Sequence, residues 1–342
     1  MKNKKYTIAD ISEMLGVSKA TVSRSITGAP GVSDALRDKV LKLVEEVGYQ
    51  PNTVARGLST GKLNIIALIL GDMRNPFYAD LAFGIQKLLT AHNYMVMIFN
   101  SEYDSKRELE FIQLTEQFHF AGLILITAQN KEISDKLKQL NLPKVLVNRI
   151  FPDYDGDSVL TDNFQAGYEA ALHLIELGHK EIGFIAGHLY SSAATHRFEG
   201  YRQALRNYSL PFFEEYVFHS DLKMETGYEL SKSFLALKKR PTAMLCINDM
   251  TSLGFMDGCK EAGIRFPDDL SLVSFDNIAL ASSYDVQLTT INQHSEEMSC
   301  EAARLILKQL NDNESRPERI ILKPSLIIRK TTGPYMDKLN IK

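Results

Sequence analysis

From Asn64 onward the chain alternates short apolar runs with amphipathic stretches at helical spacing; the runs are IIALIL, YMVMIF, GLILI, KVLVN, EIGFIAG, AMLCIN and LSLVSF. Strands of a parallel sheet carry helices on both faces, so they read as near-continuous hydrophobic runs separated by helical segments, which is the pattern here. Seven such runs with their flanking pieces exceed one comfortable sheet, and the polar stretch Phe151 to Asp157 divides them into two groups. The pattern predicts two doubly wound α/β subdomains with a cleft between them.

The first 62 residues follow a different pattern. Thr7 and Asp10 have the spacing of a capping box, and Ile8, Ile11, Met14 and Leu15 then form one apolar face up to Gly16. Ser18 can cap a second helix over Lys19 to Ile26, which Gly28, Ala29, Pro30 and Gly31 end, because glycine and proline favour turns over helix continuation. A third helix starts at Ser33, with Leu36, Val40, Leu43, Val44 and Val47 at helical spacing and Gly48 just past its end. Residues 49–62 (YQPNTVARGLSTGK) are too polar to build a core and read as a linker holding a short, conditional helix. Gly57 costs such a helix about 1 kcal/mol relative to alanine.

A chain of 342 residues suits one small and one large unit, since domains usually hold about 100 to 200 residues. No window approaches the roughly 20 apolar residues of a bilayer span, and Met1-Lys2-Asn3-Lys4-Lys5 leads into polar residues rather than a signal-peptide stretch, so a cytoplasmic protein is expected. Cys246, Cys259 and Cys300 are widely spaced and lack CxxC or His-rich company, which argues against a disulfide framework or a zinc site. The net charge of −3 is unevenly spread: residues 1–62 hold ten Lys/Arg against six Asp/Glu, leaving 29 against 36 for the rest. A basic head on an acidic body suits an anion-binding head.

In order along the chain stand YTIADISEMLGVSKATVSRSITG, LRDKVLKLVEEVGYQPN, ARGLSTGK, NPFYADLAFGI at 75–85, ELGHKEIGFIAG at 176–187, HRFEGY at 196–201, IND at 247–249, SFDN at 274–277 and LTTINQ at 288–293. Together these closely resemble the lactose-repressor/galactose-repressor family of bacterial transcription regulators. The resemblance implies an all-α helix-turn-helix head (1–48), a linker or hinge helix (49–62) and an effector-binding and dimerisation domain (63–342) of periplasmic-binding-protein-like α/β architecture. Its N-subdomain takes 64–161 and 293–321, its C-subdomain 163–290 and 323–335, with crossovers near Asp162, Ile291 and Leu322. No leucine heptad follows towards Lys342, so a homodimer is expected rather than a tetramer. Two-fold symmetry then implies a near-palindromic double-stranded DNA operator.

A helix-turn-helix lays its second helix in the major groove, where side chains near that helix's start reach base edges. The resemblance places Lys19, Ala20 and Arg24 at base-reading positions. Arg24 can contact guanine O6 and N7 bidentately, worth about 1–3 kcal/mol of discrimination; Lys19 does similar work less rigidly, and Ala20 offers an apolar contact to a thymine methyl. Ser18, Thr21, Ser23, Ser33 and Asn52 are expected at phosphates, with helix capping the alternative role for the hydroxyls. Leu58, beside Ala55 and Arg56 in a polar linker, resembles the family's minor-groove wedge, which partly unstacks a base step, with Val54 packing against its symmetry mate.

For the larger domain the resemblance implies effector contacts from Met73, Asn75, Pro76, Asn148, Thr161, Asp162, Arg197, Asn248, Asp276 and Gln293. A carboxylate, amides and a guanidinium suit a hydroxyl-rich ligand, by bridging neighbouring hydroxyls and gripping ring oxygens or a carboxylate. Asp162 and Asn248 can equally serve as helix caps. Where several relatives carry an aromatic that stacks on the ligand, this chain has Leu222, which argues against a flat purine; Tyr190, Phe77 or His196 are candidate substitutes. The expected ligand is a sugar, sugar acid or sugar phosphate.

Gly57-Leu58-Ser59-Thr60-Gly61 fits GxSxG, but a nucleophile elbow needs a buried strand before the serine, and polar linker precedes it here. HExxH, Walker A and GxGxxG are absent and the eight histidines are scattered, so no enzyme, metal or cofactor is expected. The resulting expectation is a repressor of carbohydrate-utilisation genes, released by a small sugar-like effector. The alternatives are a catabolite-control-type regulator assisted by a phosphocarrier protein and, from another class, a sugar-binding transport protein, which would need a signal peptide and no DNA head.

Overall fold

A computed structural model describes residues 6–49, 63–126, 130–188, 190–312 and 316–335. The chain divides into two compact units, Met1–Leu63 and Asn64–Lys342.

The first unit carries α1 (Ile8–Leu15), α2 (Lys19–Thr27) and α3 (Asp34–Glu46). The capping box forms as its spacing requires: the Asp10 amide donates to Thr7 Oγ1 at 3.3 Å, and the Thr7 amide donates to the Asp10 carboxylate at 2.8 Å. Gly16 and Gly28 end α1 and α2 at φ 64° and 74°, a left-handed conformation that glycine adopts without steric penalty. One residue from each helix, Ile11, Val22 and Val40, is fully buried, and partly buried aliphatic residues surround them. With so small a core, the caps and turns hold a larger share of the stability than in a big domain. The expectations for Asn52, Val54, Ala55, Arg56 and Leu58 lie outside the described residues.

The second unit begins with β1 (Leu63–Leu70), α4 (Pro76–Ala91), β2 (Met95–Asn100), α5 (Ser105–Gln117), β3 (Phe120–Leu125), α6 (Lys131–Gln139), β4 (Lys144–Val147) and β5 (Ser158–Thr161). It continues with α7 (Asn163–Glu176), β6 (Ile182–Ala186), α8 (Ser192–Asn207), β7 (Val217–His219), α9 (Met224–Leu235), β8 (Ala243–Cys246), α10 (Asp249–Glu261), β9 (Ser271–Asp276) and β10 (Thr289–Asn292). Last come α11 (Ser295–Asn311), β11 (Arg319–Leu322) and β12 (Ser325–Ile327). The strands form two sheets, ordered β11-β5-β4-β3-β1-β2 and β12-β10-β9-β8-β6-β7. β1 with β2, β3 with β4, β4 with β5 and β5 with β11 run parallel, as do β6 with β7, β6 with β8, β8 with β9 and β9 with β10; β12 alone among these pairs runs antiparallel, to β10.

The central strands are buried along their length, β3, β6, β8 and β9 without interruption, which is why they read as unbroken apolar runs. The chain passes from the first sheet to the second after β5, returns after β10, and crosses again between β11 and β12. α11 packs on α4 and on the first sheet. Among the described residues no helix is long and apolar enough to cross a membrane.

Beside the second sheet, α7 and α8 cross at close range. A methyl group on Gly167 of α7 would overlap the carbonyl of Arg197 on α8, and one on Gly200 of α8 would overlap the carbonyl of Phe164 on α7. The two helices therefore meet backbone to backbone, and Arg197 is fixed at that meeting.

Candidate functional site

In the first unit, Lys19 and Ala20 occupy the first turn of α2 and Arg24 lies one turn beyond Ala20, so Ala20 and Arg24 share a face. All three are exposed, whereas Val22 and Ser25 of the same helix are buried. Ser18 is the N-cap of α2: its Oγ accepts from the Thr21 amide at 3.1 Å and lies 2.9 Å from Thr21 Oγ1. Ser23 is half-buried on α2. Ser33 occupies the N-cap position of α3 without a capping hydrogen bond.

In the second unit, loops at the carboxyl ends of strands in both sheets line a cleft. That location, outside the carboxyl ends of parallel strands, is where α/β folds bind ligands. Of the residues expected there, Asn75, Asn148, Arg197, Asn248 and Asp276 line the cleft, together with Phe77 and Leu222. Asn75 follows β1 and caps α4, its Oδ1 accepting from the Phe77 amide at 3.0 Å. Asn148 follows β4 at φ 64°. Asn248 both caps α10, accepting from the Thr251 amide at 2.9 Å, and donates to the Leu222 carbonyl at 3.1 Å, so capping and cleft lining coincide in one side chain.

Arg197 is buried and tightly held. Its Nε donates to Asn163 Oδ1 at 2.8 Å, its Nη1 donates to the Ile247 carbonyl at 2.7 Å, and the guanidinium lies 4.6 Å from the Phe275 ring centre. Asp276, at the end of β9, is 4.0 Å from Arg197 Nη1 and accepts from Gln293 Nε2 at 2.5 Å. Burial pushes the Asp276 carboxyl up to about 7, against the opposing pull of Arg197 and with a further upward push from Asp249. Asp249 is itself raised to about 6 by burial, and it accepts from Thr290 Oγ1 at 2.7 Å and the Ile278 amide at 2.9 Å. Burial thus makes charge costly at Asp276 and Asp249.

Other expected residues fall elsewhere. Met73 is half exposed, outside the cleft lining, and its amide donates to Asn100 Oδ1 at 2.8 Å. Asp162 is exposed and caps α7, accepting from the Gln165 amide at 2.9 Å. Pro76 is the first residue of α4. Thr161 and Gln293 are buried behind the lining, where Thr161 Oγ1 donates to the Gln293 carbonyl at 3.4 Å. Tyr190 and His196 are not lining residues; Tyr190 stacks instead on His188 with ring centres 5.0 Å apart.

Tyr78, Arg149, His188 and Ser191 also line the cleft, and the sequence reading did not single them out. Arg149 and His188 each follow the carboxyl end of a strand by two residues, and that position was the available signal. Burial, then the nearby Arg149 charge, lowers the His188 pKa, which favours a neutral imidazole. Residues that could hold a metal do not cluster among the described residues.

Residues 7–52 match the model for bacterial regulatory proteins of the lacI family, and residues 171–332 match the periplasmic binding protein-like domain. The NTD biosynthesis operon regulator NtdR of Bacillus subtilis (strain 168) is 35% identical over 329 residues, which cover 95% of this chain and 99% of that one. The structure of the lac repressor dimer bound to operator and the anti-inducer ONPF has a TM-score of 0.85 at 25% identity, covering 96% of this chain and 100% of that one. A LacI family transcriptional regulator from Enterococcus faecium with bound ribose gives 0.71 at 26% identity, covering 80% and 100%. The chain belongs to the lacI family of bacterial regulatory proteins and is a DNA-binding transcription regulator.

Proposed function

We propose that the protein acts as a cytoplasmic homodimer that represses genes of carbohydrate utilisation from near-palindromic operators, and that a small hydroxyl-rich effector in the cleft releases it. The observation that carries this reading is the convergence of Arg197, Asp276, Asn248, Asn75 and Asn148 on one buried cleft at the strand ends of two sheets. These groups offer paired donors and acceptors to a ligand with several hydroxyls. The bound ribose in the Enterococcus faecium regulator supports the same ligand class. On the head, Lys19, Ala20 and Arg24 read bases while Ser18, Thr21, Ser23 and Ser33 hold phosphates.

A thermal-shift screen of the purified protein against sugars, sugar acids, sugar phosphates and purines tests the effector, because a ligand that binds the folded state raises the melting temperature. A carbohydrate hit that also releases operator DNA, with release lost in Arg197→Ala while DNA affinity stays intact, is the expected result. A purine hit would overturn the ligand class. DNA binding that requires a phosphocarrier protein, with no small-molecule response, would replace induced release by the catabolite-control reading.

A further inference from the structure

Arg149 differs from the other charged groups around the cleft. It is 4% exposed, yet among the described residues its Nε and Nη1 have no hydrogen-bond partner, and its Nη2 donates to Tyr78 Oη at 3.3 Å. The guanidinium faces the Tyr103 ring at 5.6 Å from its centre, and among the described residues it makes no ion pair. Several nearby charged groups already have charged partners. Arg197 stands against Asp276, Arg74 pairs with Asp72 at 2.8 Å, and Lys223 pairs with Asp221 at 3.2 Å. The residue before Arg149 is the neutral Asn148, whose Oδ1 is also buried without a partner among the described residues, and the buried Nε2 of His188 is a fourth such atom on the lining.

A guanidinium remains protonated whatever its surroundings, so the site cannot relieve this charge by losing a proton. Hydration can satisfy an N–H group but does not neutralise a buried charge, whereas an anionic ligand does both. We propose that the effector is a hydroxylated acid whose carboxylate or phosphate group is held by Arg149 beside His188, with its hydroxyls directed to Arg197, Asp276 and Asn248. The proposal rests on the reading of this cleft as the effector site and narrows its ligand to the acidic members of the carbohydrate class. The Asn148 amide fits it, since a carboxylate there would compete for Arg149.

The test is calorimetric titration and thermal shift on the full chain, with aldohexoses and aldopentoses, the uronic and aldonic acids derived from them, and their terminal phosphates, all at constant ionic strength. Sodium acetate and sodium phosphate serve as bare anions. The acid or the phosphate of one sugar is expected to bind at least about tenfold more tightly than its neutral parent, and which of the two does so identifies the anion. Arg149→Met should abolish that preference and leave the weak binding of the neutral parent, while Arg149→Lys should retain part of it. Without ligand, Arg149→Met should melt higher than wild type, because an unpaired charge has gone; a lower melting temperature would count against the proposal. Equal binding of acid and neutral sugar, or unchanged acid affinity in Arg149→Met, would overturn the proposal while the effector reading stands. Silence from every sugar, acid and phosphate in the panel and from both bare anions would overturn the two together.

Discussion

The carbonyl of Arg197 lies against Gly167, so close that a methyl group on the glycine would come within 2.0 Å of the carbonyl oxygen. The residue that presents a guanidinium to the cleft is thus anchored through its backbone to the neighbouring helix, while its side chain is anchored by Asn163 and the Ile247 carbonyl. Gly167→Ala should force α7 and α8 apart and destabilise the protein by about 1–3 kcal/mol, the usual cost of overpacking. Urea denaturation measures the loss, and effector affinity should fall with it. An alanine variant with the wild-type midpoint and ligand response would show that the crossing adjusts freely.

Arg24→Ala should weaken binding to the preferred operator by about 1–3 kcal/mol and relax base preference at one position in each half-site. Competition binding with operators altered one base pair at a time distinguishes this from a phosphate contact, whose loss lowers affinity evenly across sequences and reduces the salt dependence.

Ser18 and Ser33 both precede helices, but only Ser18 makes the capping bond. Ser18→Ala should destabilise α2 by about 1 kcal/mol, and Ser33→Ala should cost α3 much less. Amide hydrogen exchange across the two helices in the full chain reads both effects. Equal losses would mean that the hydroxyl bond to Thr21 is not what holds the start of α2.

Burial holds the Asp276 carboxyl well above an unfolded aspartate, pushed up to about 7. Between the unfolded value and about 7 the native state binds the extra proton, so this group's contribution to stability falls as pH rises through that window and is fully lost above it. Asp276→Asn removes this group's share of the dependence and leaves that of Asp249. Relative to wild type, the variant should therefore gain in melting temperature as pH is raised from 4 to 8, although Arg197 loses its carboxylate. Parallel pH profiles for the two proteins would contradict a raised Asp276 pKa.

Much of the fold was legible because the strands that form the middle of each sheet are buried on both faces and so appear as apolar runs; β1, β3, β6, β8 and β9 all overlap runs read from the sequence. β5, β7, β10, β11 and β12 were not named as separate strands. They are three or four residues long, and β7, β11 and β12 are only partly buried, so their composition carries no clear period. In the cleft, the residues named from motif positions include Asn75, Arg197 and Asp276, whereas Arg149 and His188 went unmarked. Their significance lies in missing partners, and an unpaired donor is a property of three-dimensional packing that spacing along a chain does not record.

The placement of β11 has a consequence for synthesis. It is the edge strand of the first sheet, paired with β5, yet between the two in sequence lie the whole of the second sheet except β12, followed by α11. A nascent chain emerging N-terminus first can pair β1 to β5 early, but that half cannot finish until nearly all of the protein has left the ribosome. A premature stop between Thr161 and Arg319 would therefore leave β5 as an exposed template edge, and such truncated products should aggregate rather than persist as a free-standing first lobe.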